Sequence, residues 1–149
     1  FNPGARSSGG ALGLMQLTRD TARAMGVANP FDPDAGIRGG VRYLNKLRNH
    51  FEEELPPRER TWFALAAYNA GLARVILARE RAAAAGLDPG RWFGNVETMM
   101  GREANKIAVG PYREAVDYVR GIRSLYNTYN RQQESLTAGL DGRRTQPRI

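Results

Sequence analysis

One stretch of the sequence constrains the fold more than any other: residues 62–68 include no charged side chain. A helix at a protein surface keeps one polar face, so this stretch predicts a central helix that is buried on all sides. The prolines at positions 56 and 57 suit its first turn, and Gly71 suits a left-handed C-terminal cap. Tyr68 and Asn69 would then lie in its last turn, where buried polar groups need hydrogen-bond partners. They are either bonded core residues or the wall of a site.

The composition excludes several kinds of chemistry. The chain has 149 residues, enough for one domain with a substantial core. It contains no cysteine and a single histidine, His50, which excludes thiol catalysis, thiolate metal sites and a Ser-His relay. We therefore expect no metal and no cofactor. Any chemistry must come from carboxylates, hydroxyls or amides.

The net charge of +7 favours polyanionic or carboxylate-bearing partners, which include nucleic acid, anionic lipid and acidic cell-wall peptides. No apolar run approaches the roughly 18 residues of a membrane span, and no signal segment opens the chain. The abrupt start at Phe1 is typical of an excised piece, so we expect a localisation signal or membrane anchor to lie upstream.

Helical spacing of apolar residues predicts a mainly α domain over residues 1–130. Besides the central helix, we predict helices over residues 14–25, 33–51, 72–85 and 89–100 and a long helix from about Pro111 to residue 129. The predicted buried stripes are Ile37, Val41, Leu44, Leu47 and Phe51 in one helix and Tyr112, Ala115, Val119, Ile122, Tyr126 and Tyr129 in the last.

Two further features complete this prediction. Gly39 and Gly40 interrupt the second helix at a cost of about 1 kcal/mol each relative to alanine, which implies a close backbone approach there. Residues 131–149 carry four arginines, two acidic residues and few large apolar side chains, which predicts a disordered basic tail.

Several separated segments carry side chains that could do chemistry, although each has a simpler structural interpretation. Gly13-Leu14-Met15-Gln16 is more often a helix start with two packing residues. Tyr68 and Tyr118 are more often core residues, and Ser7 is more often a turn residue.

Together, however, these segments resemble a known family. The motifs that carry the resemblance are, in order, Phe1-Asn2-Pro3, Ala5, Ser7, Gly10-Ala11, Gly13-Leu14-Met15-Gln16, Thr21-Ala22, Gly26-Val27, Gly39-Gly40-Val41, Tyr43-Leu44, Ala66-Ala67-Tyr68-Asn69-Ala70-Gly71 and Tyr118-Val119. They are similar to the lytic murein transglycosylase domain of the soluble-transglycosylase, lysozyme-like type, from Phe1 to about Tyr129. The segment Arg60-Thr61-Trp62-Phe63 and the long insert before Tyr118 most resemble the C-terminal domain of a membrane-bound subfamily.

The resemblance implies a lysozyme-like helical domain with a glycan-binding cleft around the buried central helix. Such enzymes cleave peptidoglycan between N-acetylmuramic acid and N-acetylglucosamine without a catalytic water and leave a 1,6-anhydro ring. One glutamic acid is thought to act first as acid and then as base, in contrast to the usual pair of glycosidase carboxylates. The implied location is the periplasm or bacterial cell envelope, including the outer membrane. We expect a monomer with no nucleic-acid partner, and contact with a membrane only through an upstream anchor.

By the family pattern, the catalytic glutamate lies three places before Phe1 and so outside this sequence. None of the glutamates present matches that position. They are Glu52, Glu53, Glu54, Glu59, Glu80, Glu97, Glu103, Glu114 and Glu134. Because a general acid typically contributes roughly 10²–10⁴ in rate, we expect this chain by itself to be strongly impaired.

The resemblance assigns roles to residues that are present. Tyr118 would hydrogen-bond the catalytic carboxyl, and Ser7 would contact the glycan near the muramic residue as an auxiliary catalytic group. The implied substrate-binding residues are Met15, Gln16, Tyr68 and Asn69.

Three alternatives remain open from the sequence. A helix-turn-helix nucleic-acid binder would use the positive charge, but residues 29–33 between the first two helices exceed the usual turn of 3–4 residues. A non-catalytic murein-binding module would need no glutamate. A hydrolytic lysozyme would leave reducing ends instead of anhydro ends.

Overall fold

The structure is a computed structural model that describes residues 2–52, 54–106 and 111–144. It is built from helices, as the sequence predicts. They are α1 (Arg19–Ala24), α2 (Pro33–His50), α3 (Pro57–Ala70), α4 (Leu72–Ala84), α5 (Glu97–Lys106) and α6 (Pro111–Arg144). In these ranges the only β pairing is two isolated antiparallel bridges, Arg6 with Leu12 and Leu12 with Leu17. None of the described helices is long and apolar enough to cross a membrane.

The central helix α3 lies where the sequence places it. It packs against α2, α4 and α6, and its residues Phe63, Ala64, Ala66 and Ala67 are fully buried. Phe63 is the centre of an aromatic row, with its ring 5.6 Å from that of Phe51 and 5.5 Å from that of Trp92. Gly71 ends the helix with a positive φ of 92°, although its ψ of 143° is extended rather than left-handed helical.

The first helix is shorter than predicted. Residues 14–17 form a tight turn, and α1 begins only at Arg19. Gly13 and Gln16 have positive φ angles of 72° and 49°, which are incompatible with a right-handed helix. Thr18 then supplies the cap, because its side chain accepts a hydrogen bond from the Thr21 amide. The periodicity of Leu14 and Leu17 therefore reflects a packed turn.

The buried face of α2 differs from the predicted stripe. Ile37 and Val41 are 45% and 47% exposed, whereas Gly36, Gly39 and Gly40 are buried. The predicted close approach at the glycines is confirmed. A Cβ on Gly39 would overlap the Val27 side chain, and one on Gly40 would lie 2.9 Å from Met15 Cβ. Because glycine has no side chain, Val27 and Met15 can pack directly against the backbone of α2 at these two positions.

The C-terminal half shows two further differences. Residues 92–96 form an irregular turn, with non-helical angles at Phe93 and Gly94, so α5 starts only at Glu97. Helix α6 begins at Pro111 as predicted and buries Ala115 and Val119, but Tyr126 and Tyr129 are 48% and 65% exposed.

Helix α6 also continues to Arg144, past the end of the predicted domain at residue 130. The disorder expected for residues 131–149 stays a prediction. Extending a packed helix costs much less than nucleating one, and the arginine, glutamine and glutamate side chains of this segment suit a helix. Residues 145–149 of the predicted tail lie outside the described residues.

Candidate functional site

Tyr68 joins two motifs that are far apart in sequence. It lies in the last turn of α3, and its hydroxyl donates a hydrogen bond to the Met15 carbonyl oxygen at 2.7 Å. Met15 belongs to the tight turn of residues 12–17, which the Leu12–Leu17 bridge closes. We call this segment the Met15 turn. The central helix therefore holds the backbone of the turn directly.

Tyr43 and Tyr68 pack beside the Met15 turn, and Tyr118 lies near enough to Tyr68 to interact with it electrostatically. We call these three residues, from three helices, the tyrosine cluster. The ring of Tyr43, from α2, lies 5.3 Å from that of Tyr68. Burial raises the pKa of Tyr68 to about 12, with smaller contributions from the negative charges that Tyr118 and Tyr43 acquire when deprotonated. Burial also raises the pKa of Tyr43 and that of Tyr118. All three are neutral phenols at physiological pH, able to donate and accept hydrogen bonds.

Tyr118 is the member of this cluster that lies on α6. It is 40% exposed, so its ring is partly packed while part of it can be reached from solvent. A neutral phenol in that position can bond to a carboxyl or sugar hydroxyl brought to the surface.

The Met15 turn is fixed from two sides. A Cβ on Gly13 would overlap the Pro30 carbonyl, and Gly40 receives the Met15 side chain. Gln16 is exposed at the tip, where its side-chain amide donates to the Gly13 carbonyl at 2.9 Å. Asn69, next to Tyr68, is exposed as well. The turn thus presents Gln16 outward, while Met15 anchors it.

Ser7 lies in a different turn. Its Oγ accepts a hydrogen bond from the Ala11 amide at 2.9 Å, and the residue is exposed. This bond is the local turn interaction that a serine commonly makes. A contact between Ser7 and a glycan stays a prediction.

Several glutamates have structural partners. Glu97 is buried and its Oε1 accepts a hydrogen bond from Arg120 Nε at 2.6 Å, which ties α5 to α6. Glu59 accepts a hydrogen bond from the Trp92 amide at 2.9 Å, and Glu54 pairs with Arg79. Within the described ranges there is no group of three or more histidine or acidic residues that could hold a metal ion.

Tyr43 is the member of the tyrosine cluster that the sequence interpretation did not single out as a site residue. The pattern contains a signal for it, because Gly36, Gly40, Tyr43 and Leu47 follow helical spacing along the face of α2 that packs inward. Because several residues on that face are glycines, a search for large apolar residues does not identify it as the buried face.

The helical fold and the buried α3 agree with the lysozyme-like class of domain that the sequence resemblance implies. Comparison with known proteins agrees, because residues 1–88 match the family described as the transglycosylase SLT domain. The chain belongs to this family. The matched residues include the Met15 turn, Tyr68 and Asn69, while Tyr118 lies beyond them.

The chain is also similar to proteins described as membrane-bound lytic murein transglycosylase F. It is 40% identical over 134 residues to the one from Shewanella loihica and 42% identical to the one from Shewanella halifaxensis, covering 86% of this chain in each case. The chain spans only 28% of the length of these relatives. The names of these relatives agree with the membrane-bound subfamily that residues 60–63 resemble.

Proposed function

We propose that this chain forms the catalytic-type domain of a peptidoglycan lytic transglycosylase. The reaction cleaves the β-1,4 bond between N-acetylmuramic acid and N-acetylglucosamine and closes a 1,6-anhydro ring on the muramic product. The observation that carries the proposal is the hydrogen bond from Tyr68 to the Met15 carbonyl, because it joins the two family motifs next to Tyr118. Membership of the SLT family and the names of the relatives support it.

The exposed groups around this bond would form the glycan site. Gln16 can donate to and accept from sugar hydroxyls, and the Asn69 amide suits acetamido groups. Met15 and the ring of Tyr68 would supply the apolar wall against which a sugar ring packs. The family's cleft would thus run along the Met15 turn and the last turn of α3.

The acid would come from a glutamate that precedes Phe1 in the natural protein. It would first protonate the leaving oxygen and then accept the proton of the muramic 6-hydroxyl, which attacks the anomeric carbon. Such a group must be protonated at the start, and burial against apolar side chains favours that state. Tyr118 would position this carboxyl by a hydrogen bond, since its own phenol stays neutral at working pH.

The partner is then the glycan strand of peptidoglycan, and the place of action is the periplasm or cell envelope. The relatives are described as membrane-bound, which supports an envelope location. We propose that any membrane anchor belongs to the sequence before this chain.

Tyr118→Phe tests the proposed role of the phenol. We expect the natural protein that contains this chain to release soluble muropeptides from purified sacculi, and the variant to lose most of that activity while its circular dichroism and thermal unfolding stay unchanged. Tyr129→Phe is the matched control on the same helix, because Tyr129 is 65% exposed. Full activity of Tyr118→Phe would reduce Tyr118 to a packing residue.

A non-catalytic peptidoglycan-binding module is the second candidate, since the residues proposed to contact the glycan would also bind a strand that is not cleaved. The two are distinguished by the residues immediately upstream of Phe1. A glutamate there, whose replacement by glutamine abolishes muropeptide release but not binding to sacculi, supports the enzyme. Another residue at that position, with binding to sacculi retained, supports the module.

A further inference from the structure

A cavity of about 420 Å³ lies between the Met15 turn, α1 and the connector to α2. Its apolar floor includes Leu12, Ala22 and Val27, which are all buried. Three arginines also line it: Arg6, Arg19 and Arg23. We call this cavity the arginine pocket.

All three arginines are exposed, and in the part of the chain that the structure describes no buried acid pairs with them. The guanidinium of Arg6 lies over the Phe31 ring, 4.4 Å from its centroid. Arg19 and Arg23 are one turn apart on α1, so they lie on one face of the helix, where like charges repel each other. No carboxylate is among the residues that line the pocket.

The acids nearby offset only part of this charge. Asp20 lies 3.8 Å from Arg23, but the two side chains are 95% and 84% exposed, and a pair of this kind contributes little. Asp32 caps α2 by accepting a hydrogen bond from the Ala35 amide at 2.7 Å. The pocket therefore combines an excess of positive charge with a small apolar floor.

We infer that the arginine pocket binds the carboxylates of the peptide attached to the peptidoglycan glycan strand. Arginine forms paired hydrogen bonds to a carboxylate, and the apolar floor suits the short side chains of such a peptide. The Met15 turn connects the arginine pocket with the proposed glycan site. Gly13 packs on Pro30, which lines the pocket, and the Met15 carbonyl accepts the hydrogen bond from Tyr68. This inference rests on the proposed function, because it takes the ligand at the turn to be a peptide-bearing glycan.

Calorimetric titration of the chain with a soluble N-acetylmuramyl tripeptide tests this assignment. The double variant Arg19→Gln/Arg23→Gln should bind about tenfold more weakly or worse, as expected for the loss of charged hydrogen bonds. The control, Arg48→Gln/Arg131→Gln, removes the same charge from exposed positions on α2 and α6 and should change affinity by less than about twofold. Equal affinity of the pocket variant and the control variant would overturn the assignment.

Two further probes identify the ligand chemistry. A tripeptide whose carboxylates are amidated should bind the unmodified chain about as weakly as the unmodified tripeptide binds the double variant. If the amidated tripeptide keeps its affinity, carboxylate recognition is excluded. Inorganic phosphate should not displace the tripeptide at equal concentration, and displacement through Arg19 and Arg23 would make the pocket a general anion site instead.

The binding assay requires no cleavage, so the two proposals can fail separately. If the unmodified natural protein releases no muropeptides from sacculi but the tripeptide binds as described, only the enzyme proposal falls. If release occurs and the double variant binds normally, only the pocket assignment falls.

Discussion

At the scale of single residues, Tyr68 shows how one hydroxyl can join two segments that are far apart in sequence. An isolated tyrosine at the end of a buried helix predicts only that the hydroxyl needs a partner. The partner is the Met15 carbonyl, 53 residues away in sequence, and this pairing could not be read from local pattern. The local sequence predicts that the Tyr68 hydroxyl needs a hydrogen-bond partner. Only the tertiary packing determines which group that partner is.

Removing this hydroxyl should have a modest and measurable cost. We expect Tyr68→Phe to lower the free energy of unfolding by about 0.5–1.5 kcal/mol, the usual net contribution of one hydrogen bond. Urea unfolding of the variant against the unmodified chain measures it, with Tyr129→Phe as an exposed control that should be neutral. An unchanged free energy of unfolding in Tyr68→Phe would mean that the hydrogen bond does not fix the Met15 turn.

The raised pKa of Tyr68 gives a pH prediction with a definite sign. The pKa of Tyr68 in the folded chain is about 12, whereas a tyrosine in the unfolded chain has its ordinary pKa of 10.0. Between these values the folded state binds more protons, so the free energy of unfolding falls as pH rises. Below pH 10 the group adds no pH dependence. Urea unfolding across this alkaline range should show a shallower fall for Tyr68→Phe, and equal slopes would contradict the assignment.

At the scale of elements, α2 shows which part of a helix the sequence predicts and which it does not. Asp32 and Pro33 mark its start correctly, because cap and first-turn preferences depend on local chemistry. The apolar residues Ile37 and Val41 do not face the described core, whereas the glycines do. The spacing of apolar residues does not identify a helix face whose contacts are made by glycines. Two adjacent glycines in a predicted helix do indicate that such a face is present.

Gly40→Ala tests that close packing. The added Cβ would meet Met15 Cβ and Cγ at 2.9 Å, and neither atom is the flexible end of its side chain. We expect the variant to lose about 1–3 kcal/mol of stability in spite of alanine's higher helix propensity. Gly121→Ala on α6 is the matched control, because a Cβ there meets nothing within 4 Å and should stabilise by about 0.5–1 kcal/mol. Stabilisation by both substitutions would contradict the packing.

The bond between Glu97 and Arg120 should hold α5 against α6. Arg120→Ala would leave a buried carboxylate without its charged partner, and we expect thermal or urea unfolding to show a loss of about 1–3 kcal/mol. Arg113→Ala breaks an exposed pair with Asp117 on α6, 3.7 Å apart, and should cost about 0.3–0.5 kcal/mol. Similar costs for the two variants would show that burial of Glu97 adds nothing.

At the scale of the whole molecule, the sequence predicts the helical class and the central helix, and the structure confirms both. The buried part of α3 could be predicted because residues 62–68 carry no charged side chain, and the motif segments because they match the family pattern. The spacing of apolar residues predicts a helix for residues 14–17 of the Met15 turn, because the positive φ angles at Gly13 and Gln16 do not alter that spacing. The grouping of Tyr43, Tyr68 and Tyr118 required the packing of α2, α3 and α6, which no local pattern encodes.

The account of the molecule as a lytic transglycosylase domain is tested most directly by the glycan ends that its natural protein produces. Purified sacculi are digested with that protein, and the released muropeptides are analysed by mass spectrometry before and after borohydride reduction. The proposed reaction predicts 1,6-anhydro-muramic ends, which are one water lighter than reducing ends and resist reduction. Products that carry only reducing ends would show a hydrolase and contradict the account.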